Sequence, residues 1–325
     1  MVGQLTNKRI WWVGASAIGV LGYMFFVQPY ATGYWLERST LWSDMQHGYQ
    51  ADGAEWSFGY FVPFAVILVI WLTRHQFAKL DVEPSVFLGL GTLFLGFFIY
   101  FAGYKANEKY IGFAAGQILV AGVVLWFLGW RWFKQGFWIW ILLALVWPLR
   151  FLIEPVSFPL QMIMVKLTAG FLNVVGDPAL ANGTAILSAP MEGRELGERF
   201  SLNVAAACSG LRSLFALFMI ALLYGYLALK NGWHRLLLVL SVPFMAIMGN
   251  FVRMVLLYFG VLSLGPEMAI GKGEHDPSTY HLMAGFAVFA VSLAGMTLLV
   301  QFMKRGRRSS SKRLVIVKQA TFDEH

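Results

Sequence analysis

One cysteine, Cys208, stands in 325 residues, and its solitude excludes an internal disulfide, a CxxC redox pair and any zinc or iron–sulfur site built from several thiolates. A single thiol can still be a nucleophile. Charge is equally scarce, at 13% of residues, where a soluble domain carries about a quarter. With 58% hydrophobic residues and a mean hydropathy of +0.63, the chain reads as an all-α, polytopic integral membrane protein. It also lacks a P-loop, a GxGxxG or HExxH motif and any internal repeat, so no cofactor and no metal is expected.

A hydrocarbon core about 30 Å thick asks for roughly 20 apolar residues per helix. Eight runs of that kind are present: Trp11–Gln28, Trp56–Leu72, Val86–Gly103, Ile111–Gly129, Phe137–Ile153, Leu211–Leu229, Leu236–Leu262 and Leu282–Met303. A ninth, Phe158–Val175, carries Gln161 and Lys166 and is bracketed by Pro155 with Pro159 and by Gly176-Asp177-Pro178, so it is expected to be interfacial or re-entrant. Residues 1–303 then form one multi-span domain, and 304–325 a basic tail expected to be disordered. The first run follows Lys8-Arg9, as a signal peptide would, but has no A-x-A-like exit, which favours an uncleaved span.

Basic residues are retained on the cytoplasmic side of a membrane. They cluster as Lys8 with Arg9, Arg74 with Lys79, Arg131 with Lys134, Lys230 with Arg235, and then along the tail from Lys304 to Lys318, which places both termini in the cytoplasm. The first loop on the opposite face holds Glu37, Asp44, Asp52 and Glu55 against one Arg38. The net charge of +8 is thereby a topology signal with a lipid-facing tail, and no nucleic-acid partner is needed to explain it.

Ionisable groups inside spans are costly and are functional candidates by default. Cys208 lies at the outer mouth of the sixth span, in Ala207-Cys208-Ser209-Gly210-Leu211-Arg212. Arg253 lies inside the seventh, one helical turn after Asn250, and His281 opens the eighth on the outer side. Nine residues separate Arg253 from Leu262, roughly 14 Å of helix, which a snorkelling side chain partly recovers. The set converges on a site recessed beneath the outer surface. Its types suit acyl transfer, with Cys208 as nucleophile, His281 as general acid and base, and Arg253 as donor to the developing oxyanion. The helix N-terminus and Arg212 favour a thiolate at Cys208. Ser209, Gly210, Arg212 and Asn250 are supporting residues, and Asp276 or Glu274 is a candidate to orient His281.

Each residue also has a plainer role: Cys208 as packing, Arg253 in assembly, His281 as an interfacial residue, Arg212 on headgroups. Glu274, His275, Asp276 and His281 match no metal-binding spacing, and the Trp-rich segment Trp126–Trp132 reads as an aromatic belt.

The blocks Ala207-Cys208-Ser209-Gly210-Leu211-Arg212, Asn250-x-x-Arg253 and His281-x-x-x-Gly285 resemble the three signatures of the exosortase/archaeosortase family. The resemblance is specific over residues 200–285. It implies a cysteine protease and transpeptidase of the cytoplasmic (inner) membrane, its site facing the periplasm or cell exterior. Substrates would be membrane-anchored proteins with a C-terminal sorting signal of the PEP-CTERM kind, a short motif followed by a transmembrane helix and a basic cluster. Cys208 would form a thioester, Arg253 steady the oxyanion, His281 act as acid and base, and an envelope acceptor of unspecified chemistry receive the acyl group. Some members carry an appended soluble C-terminal domain and this chain does not, so a role in exopolysaccharide assembly that depends on such a domain is not expected. Two other classes fit the same residues: an intramembrane thiol protease that uses water, and a non-enzymatic transporter or polysaccharide-export component.

Overall fold

The computed structural model describes the chain except residues 1–15, 17–18, 33–37, 51–55, 192, 204–209, 274–275 and 323–325. Among the described residues, seven helices are long and apolar enough to cross a membrane, as expected of an all-α polytopic protein. The chain forms two compact units, Met1–Arg150 and Phe151–His325.

In the first unit, the expected span Trp11–Gln28 lies partly outside the described residues, and its described end closes in a π-helical turn at Tyr23–Val27. An amphipathic helix α1 (Leu41–Gln50) precedes α2 (Val62–Phe77), α3 (Val86–Ala106), α4 (Lys109–Phe127) and α5 (Trp130–Ala144). Helices α3 and α4 form a tight hairpin whose axes approach through glycine: a Cβ at Gly96 would fall 2.7 Å from Leu119, and one at Gly122 would fall 2.8 Å from Leu93. Small residues of this kind drive helix association in lipid, where burial of apolar surface gains nothing.

The expected fifth span, Phe137–Ile153, is not one helix. Helix α5 stops at Ala144 after 15 residues, about 22 Å of rise. Pro148 disfavours helix at the residue before it, and the carbonyls freed by the turn have partners from α1 and the residues after it. Trp56, 2% exposed, donates its indole N–H to Leu145 O at 3.0 Å, and the Tyr49 hydroxyl donates to Val146 O. Burial raises the phenol pKa of Tyr49, which keeps that donor protonated.

The second unit opens with α6 (Ile153–Val175), 23 residues that contain the stretch expected to be interfacial, and the helix is long and apolar enough to span. A three-stranded antiparallel sheet follows: β1 (Ala179–Asn182), β2 (Ala185–Ser188) and β3 (Ser201–Asn203), in that order. Asn173 staples it to α6, its side chain bonding both the N–H and the C=O of Ala179 at 2.8 and 3.1 Å. Next come α7 (Leu211–Ala228), α8 (Gly232–Leu240), α9 (Val242–Leu264), the single turn α10 (Pro266–Ala269), a two-stranded ribbon of β4 (Gly271–Gly273) and β5 (Asp276–Pro277), and α11 (Thr279–Phe322). Helix α11 thus continues through most of the tail expected to be disordered.

The core of this unit joins three layers: Met164 and Leu172 of α6, Ile186, Phe200 and Leu202 around the sheet, and Met254, Leu257 and Val261 of α9. Helices α9 and α11 run antiparallel in close contact, since Gly260 meets Tyr280, Gly249 meets Ser292, and Gly295 meets Met245. Two side chains cross this seam to backbone carbonyls, Tyr280 to Leu256 at 2.7 Å and Ser292 to Met245 at 3.0 Å. That pairing fixes the register in which α9 and α11 present their polar residues.

Candidate active site

Helix α7 begins immediately after Gly210, whose φ of +87° is left-handed, a conformation glycine adopts without steric cost. The tightness of the place explains the residue further, because a Cβ there would lie 2.4 Å from Asn250 Nδ2. Asn250 is 1% exposed; its amide donates to Ser213 Oγ at 2.9 Å and to Ala246 O at 2.8 Å. Ser213 in turn donates to Gly210 O at 2.8 Å. The turn that follows Cys208 is therefore clamped to α9 by a closed chain of polar contacts. Cys208 and Ser209 themselves lie outside the described residues.

Arg253, one turn beyond Asn250, approaches His281 with Nη2 2.6 Å from Nε2. His281 is held by its backbone as well. Its N–H donates to Ser278 Oγ at 3.0 Å, an N-cap contact at the start of α11, and Ser278 donates onward to Ala269 O at 2.8 Å. Three buried polar atoms here have no hydrogen-bond partner among the described residues: Asn250 Oδ1, Arg253 Nε and His281 Nδ1. No carboxylate pairs with Arg253 among the described residues. Buried orphans of this kind are rare, and a guanidinium without a counter-ion is a ready donor to an oxyanion.

The fold thus brings Gly210, Asn250, Arg253 and His281 to adjoining turns of three elements. Arg212 is exposed in the first turn of α7. Asp276 contributes backbone to β5, and its side chain, like Glu274, lies outside what is described. No group of three or more potential metal ligands occurs among the described residues.

A second polar cluster has no counterpart in the sequence reading. Asp177, 7% exposed just after α6, is paired with Arg199 at 2.5 Å and accepts from the Tyr258 hydroxyl. The cluster ties the sheet's last connection to α9 five residues from Arg253. Its sequence signal is weak, an acid in Gly176-Asp177-Pro178 and an arginine before Phe200 within the mixed-charge run Glu192–Arg199.

These features define a polytopic helical protein in which an arginine, without a carboxylate partner among the described residues, meets a histidine between two span-length helices. The family model for transmembrane exosortase matches residues 49–298, and the chain belongs to that family. No curated protein matches it, and no solved structure does.

Proposed function

We propose that the protein is a membrane-embedded cysteine transpeptidase that cleaves a C-terminal sorting signal and transfers the remaining protein to an envelope acceptor. The observation that carries this reading is the 2.6 Å meeting of Arg253 and His281, with Arg253 Nε and His281 Nδ1 both unpartnered among the described residues. Membership of the exosortase family supports it independently.

In the proposed reaction the Cys208 thiol passes its proton to His281 Nε2 as its sulfur attacks the scissile carbonyl, and the C–S bond forms as the carbonyl pair moves onto oxygen. Arg253 donates to that oxyanion, a contribution of about 3–4 kcal/mol for one well-placed donor. His281 protonates the leaving amine as the C–N bond breaks, leaving a thioester. An acceptor amine then attacks, His281 takes its proton, and the thiolate departs. Asn250 and Gly210 position the nucleophile's turn and take no part in the bond changes.

The sidedness rests on consecutive spans. In the second unit α6, α7, α8 with α9, and α11 are span-length in succession, so the start of α7, the end of α9 and the start of α11 share one face. Lys230, Arg235 and the basic tail share the other, and retention of basic residues on the cytoplasmic side supports a site at the outer face of the cytoplasmic membrane. A tailed substrate with its own span and cytoplasmic basic cluster would present its cleavage motif at that level.

Co-expression with a tailed substrate tests the reading. Cys208→Ala should accumulate uncleaved precursor while remaining inserted and folded, and mass spectrometry of the wild type should find an acyl adduct on Cys208. Normal processing by the mutant refutes the mechanism. Product analysis separates transfer to an amine from hydrolysis.

A further inference from the structure

We propose that a crevice between α2, α4 and α5 seats an acyl chain of an anionic glycerophospholipid whose phosphate is held by Arg74. The cavity measures about 530 Å³, within the range of sites that take a small-molecule ligand, and its walls are apolar along their length, with Val66 and Ile70 of α2, Val124 of α4 and Leu143 of α5. Walls with so few polar groups do not hold water well, so an apolar occupant fits them.

One end differs. Arg74, in the last turn of α2, is the single charged residue on the lining, and Trp132, in the first turn of α5, lines the same space. Among the described residues the Trp132 indole N–H is buried without a partner, whereas Trp140, the other indole on the lining, donates to Gln117 O at 2.9 Å. Arg74 donates to Trp71 O at 3.0 Å and lies over the Trp71 ring at 4.8 Å, which leaves most of its five N–H donors available. No acid pairs with it among the described residues, while the nearby Arg131 is neutralised by Glu83 at 3.2 Å. The unmet groups at this end are all donors, and their complement is an acceptor-rich anion. An anion attached to an apolar body that fills the crevice is a phospholipid. Free phosphate would satisfy Arg74 and leave the rest of the cavity empty.

The experiment is native mass spectrometry of the full-length protein in detergent, titrated with dioleoyl phosphatidylglycerol. One lipid per chain should persist under activation that strips weakly held detergent. Arg74→Gln, at an exposed side chain that the fold does not need, should weaken binding about tenfold, the loss of one charge-assisted contact, and Arg74→Lys should restore part of it. Gly136→Leu should remove the bound lipid, because a Cβ there has only Phe77 in ordinary contact at 3.8 Å and a leucine extends into the crevice. Dioleoylglycerol should bind more weakly and ignore Arg74, and inorganic phosphate should not compete. Equal retention by wild type and Arg74→Gln, or dioleoylglycerol binding as well as the phospholipid, overturns the proposal. Processing of a tailed substrate is not the readout, so the result stands apart from the proposed catalytic function.

Discussion

Arg253 Nη2 lies 2.6 Å from His281 Nε2, and the chemistry of the two groups decides what that contact is. A guanidinium is always protonated and has only donors, so His281 must accept through Nε2. The imidazole is thereby neutral with its proton on Nδ1, the unpartnered nitrogen. Nitrogen-15 spectra of labelled protein should assign His281 to the Nδ1–H tautomer in the resting state, and Arg253→Gln should shift it towards a mixture. An Nε2–H tautomer in the wild type contradicts the geometry.

The same contact bears on the roles proposed for the two residues. When an oxyanion draws Arg253 away, Nε2 is released with its lone pair free to take a proton. Arg253→Gln should therefore lower the processing rate by about 10²–10³-fold, with little change in the substrate concentration at half-maximal rate. Arg253→Lys should recover little, since an ammonium cannot serve the oxyanion and the imidazole in one plane. A lysine variant with near-normal turnover would reduce Arg253 to a source of charge.

Much of this site was legible before any fold was known, because intramembrane polar residues are few and each needs a reason to be there. Asn250, Arg253 and His281 stood out on that ground. Their contact was not legible, since it depends on the α9–α11 register set by Gly249, Gly260 and Gly295, which hydropathy does not encode. The sheet is invisible to span length, although it carries a hairpin signal: Asn182-Gly183-Thr184 separates two short runs. The early end of α5 is hidden for a similar reason. A hydropathy window joins Phe137 to Ile153 across Pro148, whereas Trp56 and Tyr49, far away in sequence, take up the carbonyls that end the helix.

The Asp177 cluster should contribute to stability in an order that separates pairing from burial. Arg199→Ala leaves a carboxylate 7% exposed without its cation; because Arg199 is itself 35% exposed, the expected cost is about 2 kcal/mol, below that of a fully buried pair. Tyr258→Phe removes one bond to the same carboxylate and should cost about 1–2 kcal/mol. The double variant Asp177→Asn with Arg199→Met should be milder than Arg199→Ala alone, since no unpaired charge remains. Thermal melts in detergent give the ranking, and a double variant worse than Arg199→Ala would mean that the ion pair itself stabilises the sheet on α9.

Gly210 and Asn250 permit a sharper test, because two separate costs act at one residue. Gly210→Ala meets the amide of Asn250 at 2.4 Å and also takes alanine to a φ of +87°, which alone costs about 1–3 kcal/mol. Asn250→Ala removes the clash but leaves Ser213 Oγ without its donor and loosens the turn after Cys208. In the double variant the steric part should vanish and the backbone strain remain, so its destabilisation should be less than the sum of the singles. Processing should stay low in all three, because the amide clamp is absent or displaced in each. Full additivity in stability would show that the two residues do not touch, and recovery of processing in the double variant would show that the clamp serves packing and not the nucleophile's position.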